Sequence, residues 1–317
     1  MAKIDLKDLK ELKELTGLSG IDREVLLNKS RIKERRTREA FLPHSNYNVV
    51  ISAFSRKELL HLQSLIRREE IYRYEAYKII HEHIMETSLG DLTFKEFLEN
   101  TSFLDLETLA FLAYTATFKD KGTYTFECPN PDCGHVIEIK LNNDSLIKID
   151  NTDMYEAMRT DALKKDYSLD ELRADPDFFI NKVTALKLDD TGFIVLLKEP
   201  TLGKDAWTLK MAKDPRIGDD TGMLAALECV EEIRIPVEGD QVVIIDNKED
   251  ILTELHKLDK VSFYDLKEII DTSEDILYGA LINYQIDEVK CPHCNEVYRD
   301  LPISMSNILF YSIYAEV

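Results

Sequence analysis

Apolar residues recur along the chain at helical and strand spacing, and the two spacings alternate. Leu6, Leu9, Leu12 and Leu15 stand among Lys, Asp and Glu and predict a short amphipathic helix over 1–16, ended by Gly17 and Gly20. The folded body is expected to begin near Phe41-Leu-Pro43, with a strand from Tyr47 to Phe54. Ser55-x-x-Glu58 is a capping box, in which side chain and backbone satisfy each other's free groups, and it opens a helix through Leu59, Leu62, Leu65 and Ile66. A second helix is predicted from Tyr72 to Met85, a third behind Thr93-x-x-Glu96, and a fourth opened by Asp105 through Leu106, Leu109, Leu112 and Ala113. Thr123 to Glu127 alternates as a half-buried strand does, and so do Ile137, Ile139 and Leu141 against Glu138 and Lys140.

Residues 144–190 are acidic and helical in pattern, with a capping box at Ser168-x-x-Glu171 and a turn at Asp175-Pro176-Asp177. Phe193 to Leu197 reads as a buried strand stopped by Pro200. A helix from about Lys204 carries Trp207, Leu209 and Met211, and Asp219 or Asp220 caps another holding Leu224, Leu227 and Cys229. Glu232–Val237 and Gln241–Ile245 form a hairpin pattern around Glu238-Gly-Asp. Helices over Asp250–Leu258 and Ser262–Ile282 then lead to a strand at Tyr284–Val289 and an apolar, aromatic tail, Ile308 to Tyr314. Together these elements predict an α+β fold: a helix-rich single body with small antiparallel sheets. They divide the chain into an N-terminal helical and basic arm (1–40), a helical region (41–143), an inserted α+β region (144–283) and a C-terminal segment (284–317).

Cysteine placement adds a joint to this picture. Cys128-Pro-Asn-Pro-Asp-Cys133-Gly-His135 and Cys291-Pro-His-Cys294 each sit between stretches of strand character. Two cysteines on a tight turn aim both sulfurs at one point, and two such knuckles supply the four soft donors of a tetrahedral zinc site. Pro129 and Pro292 stiffen the turns, and Gly134 permits the reversal after Cys133. The expectation is a split zinc ribbon with Cys128, Cys133, Cys291 and Cys294 as ligands to a structural Zn²⁺. Two alternatives stay open: the pairs are independent disulfides, or His135 or His293 replaces a thiolate. His81-Glu82-His83 invites a metal reading too, but residues two apart on a helix point to different sides, so these read as structural. Cys229, isolated on an apolar face, reads as a small buried hydrophobe.

Composition narrows the class. The chain has 317 residues, 44% hydrophobic and 32% charged, enough for one large body or two ordinary ones. No apolar run approaches a membrane span and no signal-peptide core is present, so an intracellular, reducing setting is expected, where cysteines favour metal over disulfides. A formal charge of −20, from 60 acidic and 40 basic residues, repels nucleic acid phosphate and suits docking onto protein partners. Asp22 to Glu39 is the basic exception, with Arg31, Lys33, Arg35, Arg36 and Arg38. It reads as a solvated face or linker, or as an arm that docks on an acidic neighbour, including a second copy of this chain. With 11 glycines and no phosphate-binding loop or Gly-x-Ser-x-Gly elbow, the sequence offers no catalytic constellation, and a non-enzymatic protein is expected.

Several stretches in order resemble the baseplate hub subunit family of T-even-type contractile-tail bacteriophages. Phe41-Leu-Pro-His-Ser-Asn-Tyr-Asn-Val-Val-Ile is similar to that family's opening strand, and Leu104-Asp-Leu-Glu-Thr-Leu-Ala-Phe-Leu to the helix before its first knuckle. Gly192 to Thr201 looks like its strand ending at a proline, and the second knuckle with its aromatic tail closes the order. The first knuckle departs from the commoner C-x-x-C, and residues 1–40 have no counterpart. The resemblance implies a virion or assembly protein of the tail baseplate, made in the host cytoplasm, with hub, tube or wedge proteins as partners, no membrane partner and no enzyme activity. A zinc-ribbon adaptor for nucleic acid or the transcription machinery is the competing expectation; the basic run favours it and the net charge opposes it.

Overall fold

The computed structural model describes residues 36–65, 69–118, 121–164, 167–217, 220–237 and 241–311. The chain divides after Arg36, and the strands, helices and hydrophobic cores described below lie in the unit from Thr37 onward. The expected 1–16 helix, the basic run up to Arg35, the Glu238-Gly-Asp turn and the tail beyond Tyr311 lie outside the described residues.

Strands β1 (Thr37–Leu42) and β2 (Tyr47–Ser52) form an antiparallel hairpin, with Leu42 opposite Tyr47 and Asn46 in the left-handed conformation its turn needs. Helix α1 (Arg56–Leu65) opens on the predicted box: the Ser55 N–H donates to Glu58 Oε2 at 2.6 Å, and the Glu58 N–H returns to Ser55 Oγ at 3.3 Å. Helix α2 (Glu69–Glu82) stops short of the predicted Met85, because Ile84 and Met85 instead start β3 (Ile84–Thr87) on the edge of β2. A strand partner outweighs local helical pattern there. Thr93 and Glu96 make the full box at α3 (Phe94–Asn100).

Helix α4 (Leu106–Thr117) is buried almost all round, in keeping with its largely apolar sequence, and packs against β1 and β2. Asp105 does not cap it by its side chain. Its buried carboxylate instead accepts from the Ser45 N–H at 2.7 Å, the Ser45 hydroxyl at 2.6 Å and the His44 N–H at 3.4 Å. The Pro43–Asn46 turn is thereby bolted to the start of the central helix.

Next come β4 (Lys121–Glu127) and β5 (Val136–Asn142), a two-stranded sheet, then β6 (Ile147–Ile149), α5 (Thr152–Lys164) and α6 (Leu169–Ala174), the last on its predicted box. Strands β7 (Thr184–Lys187) and β8 (Ile194–Leu197) precede α7 (Leu202–Met211), which is capped by Thr201 and starts two residues before the predicted Lys204. The acidic 144–190 stretch therefore holds two short strands, β6 and β7, besides its helices. Asp220 caps α8 (Thr221–Cys229), and the hairpin β9 (Val230–Pro236) and β10 (Val242–Ile245) completes a sheet of order β10-β9-β8-β7. Helices α9 (Lys248–Val261) and α10 (Phe263–Leu277) follow. The latter ends at Leu277, so Ile282, predicted as its last residue, already begins β11 (Ile282–Lys290). Strand β12 (Val297–Pro302) pairs with β11, β6 lies on the other side of β11, and α11 (Met305–Tyr311) packs on α4.

This is an α+β fold with small antiparallel sheets, two large hydrophobic cores and a small third cluster of Leu172, Phe178 and Phe179. The first gathers residues from both ends of the unit, Phe41 to Ala162 and Ile282 to Leu309. The second runs from Leu188 to Ile269 and lies between the β7–β10 sheet and α8, α9 and α10. Tyr155 and Ala162, inside the expected 144–283 insert, pack into the first core. Helix α7 serves both, with Leu202 and Ala206 in one and Trp207 and Met211 against the other. At this seam lies a buried polar cluster: Asp205 accepts the Tyr77 hydroxyl and stands 3.7 Å from Arg73, while Lys204 Nζ donates to the Val230 carbonyl at 2.8 Å. Among the described residues no helix is long and apolar enough to cross a membrane.

Candidate metal centre

Two hairpins bring the cysteines to one place. In the first, the β4–β5 ladder runs out to Glu127 opposite Val136, and the Cys128 N–H then donates to the His135 carbonyl at 2.8 Å. In the second, β11 and β12 run out to Lys290 opposite Val297, and the Cys291 N–H donates to the Glu296 carbonyl at 2.9 Å. Both tips thus close the same way, with the first cysteine bonded to the residue two beyond the second. Each also turns back through a left-handed residue directly after the second cysteine, Gly134 (φ 57°) and Asn295 (φ 65°). Gly134 was legible in sequence as this device. Asn295 was not, although asparagine is the next most tolerant residue of that conformation.

The four Sγ atoms lie within 4.8 Å of one another, with Cys128 to Cys294 at 3.6 Å and Cys133 to Cys291 at 3.8 Å. A disulfide holds its sulfurs at about 2.05 Å, so these are four free thiols and not two bridges. A tetrahedron with zinc–sulfur bonds of about 2.3 Å has edges of about 3.8 Å, the spacing of the two closest pairs. The group can hold a metal ion, and its four soft donors fit zinc. The hairpins do not fuse into one sheet: β4 and β5 stand as a pair, while β12 and β11 continue to β6.

Backbone donors surround the sulfurs. Burial works against ionising Cys291, but the N–H groups of Cys294 and His293 outweigh it and bring the thiol down to about 7. Cys133 goes the other way: burial pushes it up to about 12 against the His135 N–H. At Cys294 the Glu296 N–H favours the thiolate, yet burial and the sulfurs of Cys291 and Cys128 leave it raised. Four crowded sulfurs cannot all carry charge without a cation among them. His293 Nδ1 lies 3.4 Å from Cys133 Sγ, a distance for an N–H to sulfur bond, and its ring stacks on His135 with centroids 5.6 Å apart.

The other sequence candidates lie elsewhere. His81 Nε2 donates to the Leu92 carbonyl, and buried His83 bonds Ser52 and Glu58, so the two rings do not converge. Cys229 is buried in the second core, where burial raises its thiol, and its sulfur faces the Ser273 carbonyl at 3.7 Å. A cleft of about 460 Å³ between β1, α4, α5 and β11 contains none of the four cysteines in its walls. Sequence reasoning missed Tyr298, whose hydroxyl lies 3.0 Å from Cys128 Sγ. Its signal would have been an aromatic four residues past Cys294, on the strand leaving the knuckle. Comparison with protein-family models, with curated proteins and with solved structures finds no match to this chain.

Proposed function

We propose that the chain is a non-enzymatic structural or assembly component of a contractile phage tail baseplate, in its hub region, and that a structural zinc at Cys128, Cys133, Cys291 and Cys294 holds its body in shape. The observation that carries the metal half is the closure of the four-sulfur group by two knuckles separated by 157 residues. A shell of four thiolates has no open position for water or substrate, so such a metal supports shape and not chemistry. The baseplate half rests on the order of features that resembles the hub family: the Leu-Pro strand, the Asp-x-Glu helix, the strand ending at Pro200 and the paired knuckles.

The partners on this reading are other hub, tube or wedge proteins, and the location is the tail. Mass spectrometry of purified tails and tail intermediates tests it, with the chain expected in a defined complex. Recovery solely as free protein, with no copy in tails or intermediates, rejects the reading. A salt-dependent shift of labelled DNA or RNA at low ionic strength would favour the nucleic acid adaptor instead.

A further inference from the structure

One oxygen ties the two knuckles together beyond the sulfurs themselves. The Tyr298 hydroxyl, on β12, lies 3.0 Å from Cys128 Sγ, accepts the Asn130 N–H at 3.1 Å and donates to Glu296 Oε2 at 2.7 Å. Cys128 and Asn130 belong to the first knuckle, whereas Tyr298 and Glu296 belong to the second hairpin. Cys128 is almost fully buried, so its sulfur meets little water to solvate a thiolate charge.

We propose that Tyr298 is a positioning residue for the metal centre: its hydroxyl locks the first knuckle onto the second hairpin and donates a hydrogen bond to Cys128 Sγ when that sulfur is a metal-bound thiolate. This role rests on the four cysteines being a metal site. A metal-bound thiolate can only accept, and the phenol has one proton to give. Two acceptors compete for it, the Cys128 sulfur and the Glu296 carboxylate. Four thiolates around one divalent ion leave an excess of negative charge, so a proton shared with one sulfur relieves repulsion and holds the ligand in place. The Glu296 carboxylate acts in the opposite sense, drawing the proton away and adding its own charge. Two neighbours on one strand and its turn are therefore assigned opposite effects on metal retention.

Tyr298→Phe and Glu296→Ala, compared with wild type, test this in the full chain. Zinc release to the chromogenic chelator 4-(2-pyridylazo)resorcinol is expected to be about 10–100-fold faster in Tyr298→Phe, the range seen when outer partners of a metal ligand are removed. It is expected to be slower than wild type in Glu296→Ala. In the cobalt-substituted proteins, the sulfur-to-metal charge-transfer band should move to lower energy in Tyr298→Phe, because the unbonded thiolate is the better electron donor; a merely structural loss would not move it. If wild type takes up neither zinc nor cobalt, the metal reading itself fails. If wild type binds both, but Tyr298→Phe matches it in release and spectrum, or Glu296→Ala releases zinc faster, the assignment of Tyr298 fails alone. Should Tyr298→Phe not fold, as judged by circular dichroism, the sign of the Glu296→Ala effect still decides.

Discussion

If zinc occupies the four-cysteine centre as proposed, removing it would open the loop that it closes. Between Cys133 and Cys291 lie 157 residues, which include the entire second core. A cross-link over a loop of that size removes about 17 cal/mol/K of chain entropy from the unfolded state, or about 5 kcal/mol at room temperature. A zinc clasp acts as such a cross-link only while bound, so its contribution also follows free metal concentration. Cys291→Ser, or wild type with a strong chelator, should therefore lower the unfolding free energy by several kcal/mol, up to about that figure. Urea denaturation followed by circular dichroism, with and without chelator, measures it. The C291S protein should be insensitive to chelator, having already lost a ligand. An unchanged midpoint on metal removal, or equal chelator sensitivity in C291S, would refute the reasoning. Cys229→Ala, a cavity in the second core away from the clasp, should leave the chelator effect intact.

Three further outcomes turn on single residues. Burial holds Glu228 protonated well above the usual carboxylate range, and the charge of Asp205 adds to this while Arg73 and Lys204 oppose it; the stability this confers is present at acid pH and lost as pH rises through the raised value. Glu228→Gln should flatten that decline, visible as a melting temperature that falls less than wild type as pH rises upward from the ordinary carboxylate range. Asp105→Ala strands the Ser45 N–H and hydroxyl in the core; at about 1–3 kcal/mol per orphaned group, it should cost about 2–6 kcal/mol in chemical denaturation, and a loss below about 1 kcal/mol would contradict the bolt between turn and helix. Asn295→Ala should cost about 1–2 kcal/mol in the same denaturation assay, because alanine resists the left-handed backbone, whereas Asn295→Gly should be close to neutral.

Much of the fold was legible because it is written in local chemistry. The boxes at Ser55/Glu58, Thr93/Glu96 and Ser168/Glu171 mark helix starts by groups that satisfy each other within three residues, and all three form. The knuckles were legible for the same reason: spacing, proline and glycine specify a turn without help from elsewhere. Asp105 shows where such reading stops. An Asp before an apolar run looks like a cap, yet its partners are Ser45 and His44, about 60 residues away in sequence. Short strands such as β6 and β3 carry little pattern of their own and exist because β11 and β2 offer them an edge. Tyr298 was hidden similarly, since a half-exposed tyrosine on a strand gains its meaning from a sulfur 170 positions earlier.

Metal content and coordination of the purified chain test the central claim most directly. X-ray absorption at the zinc edge, paired with native mass spectrometry, should find about one zinc per chain bound by four sulfurs at about 2.3 Å. A metal-free chain under zinc-replete conditions, a mass lowered by disulfide formation, or a shell containing oxygen donors would contradict it.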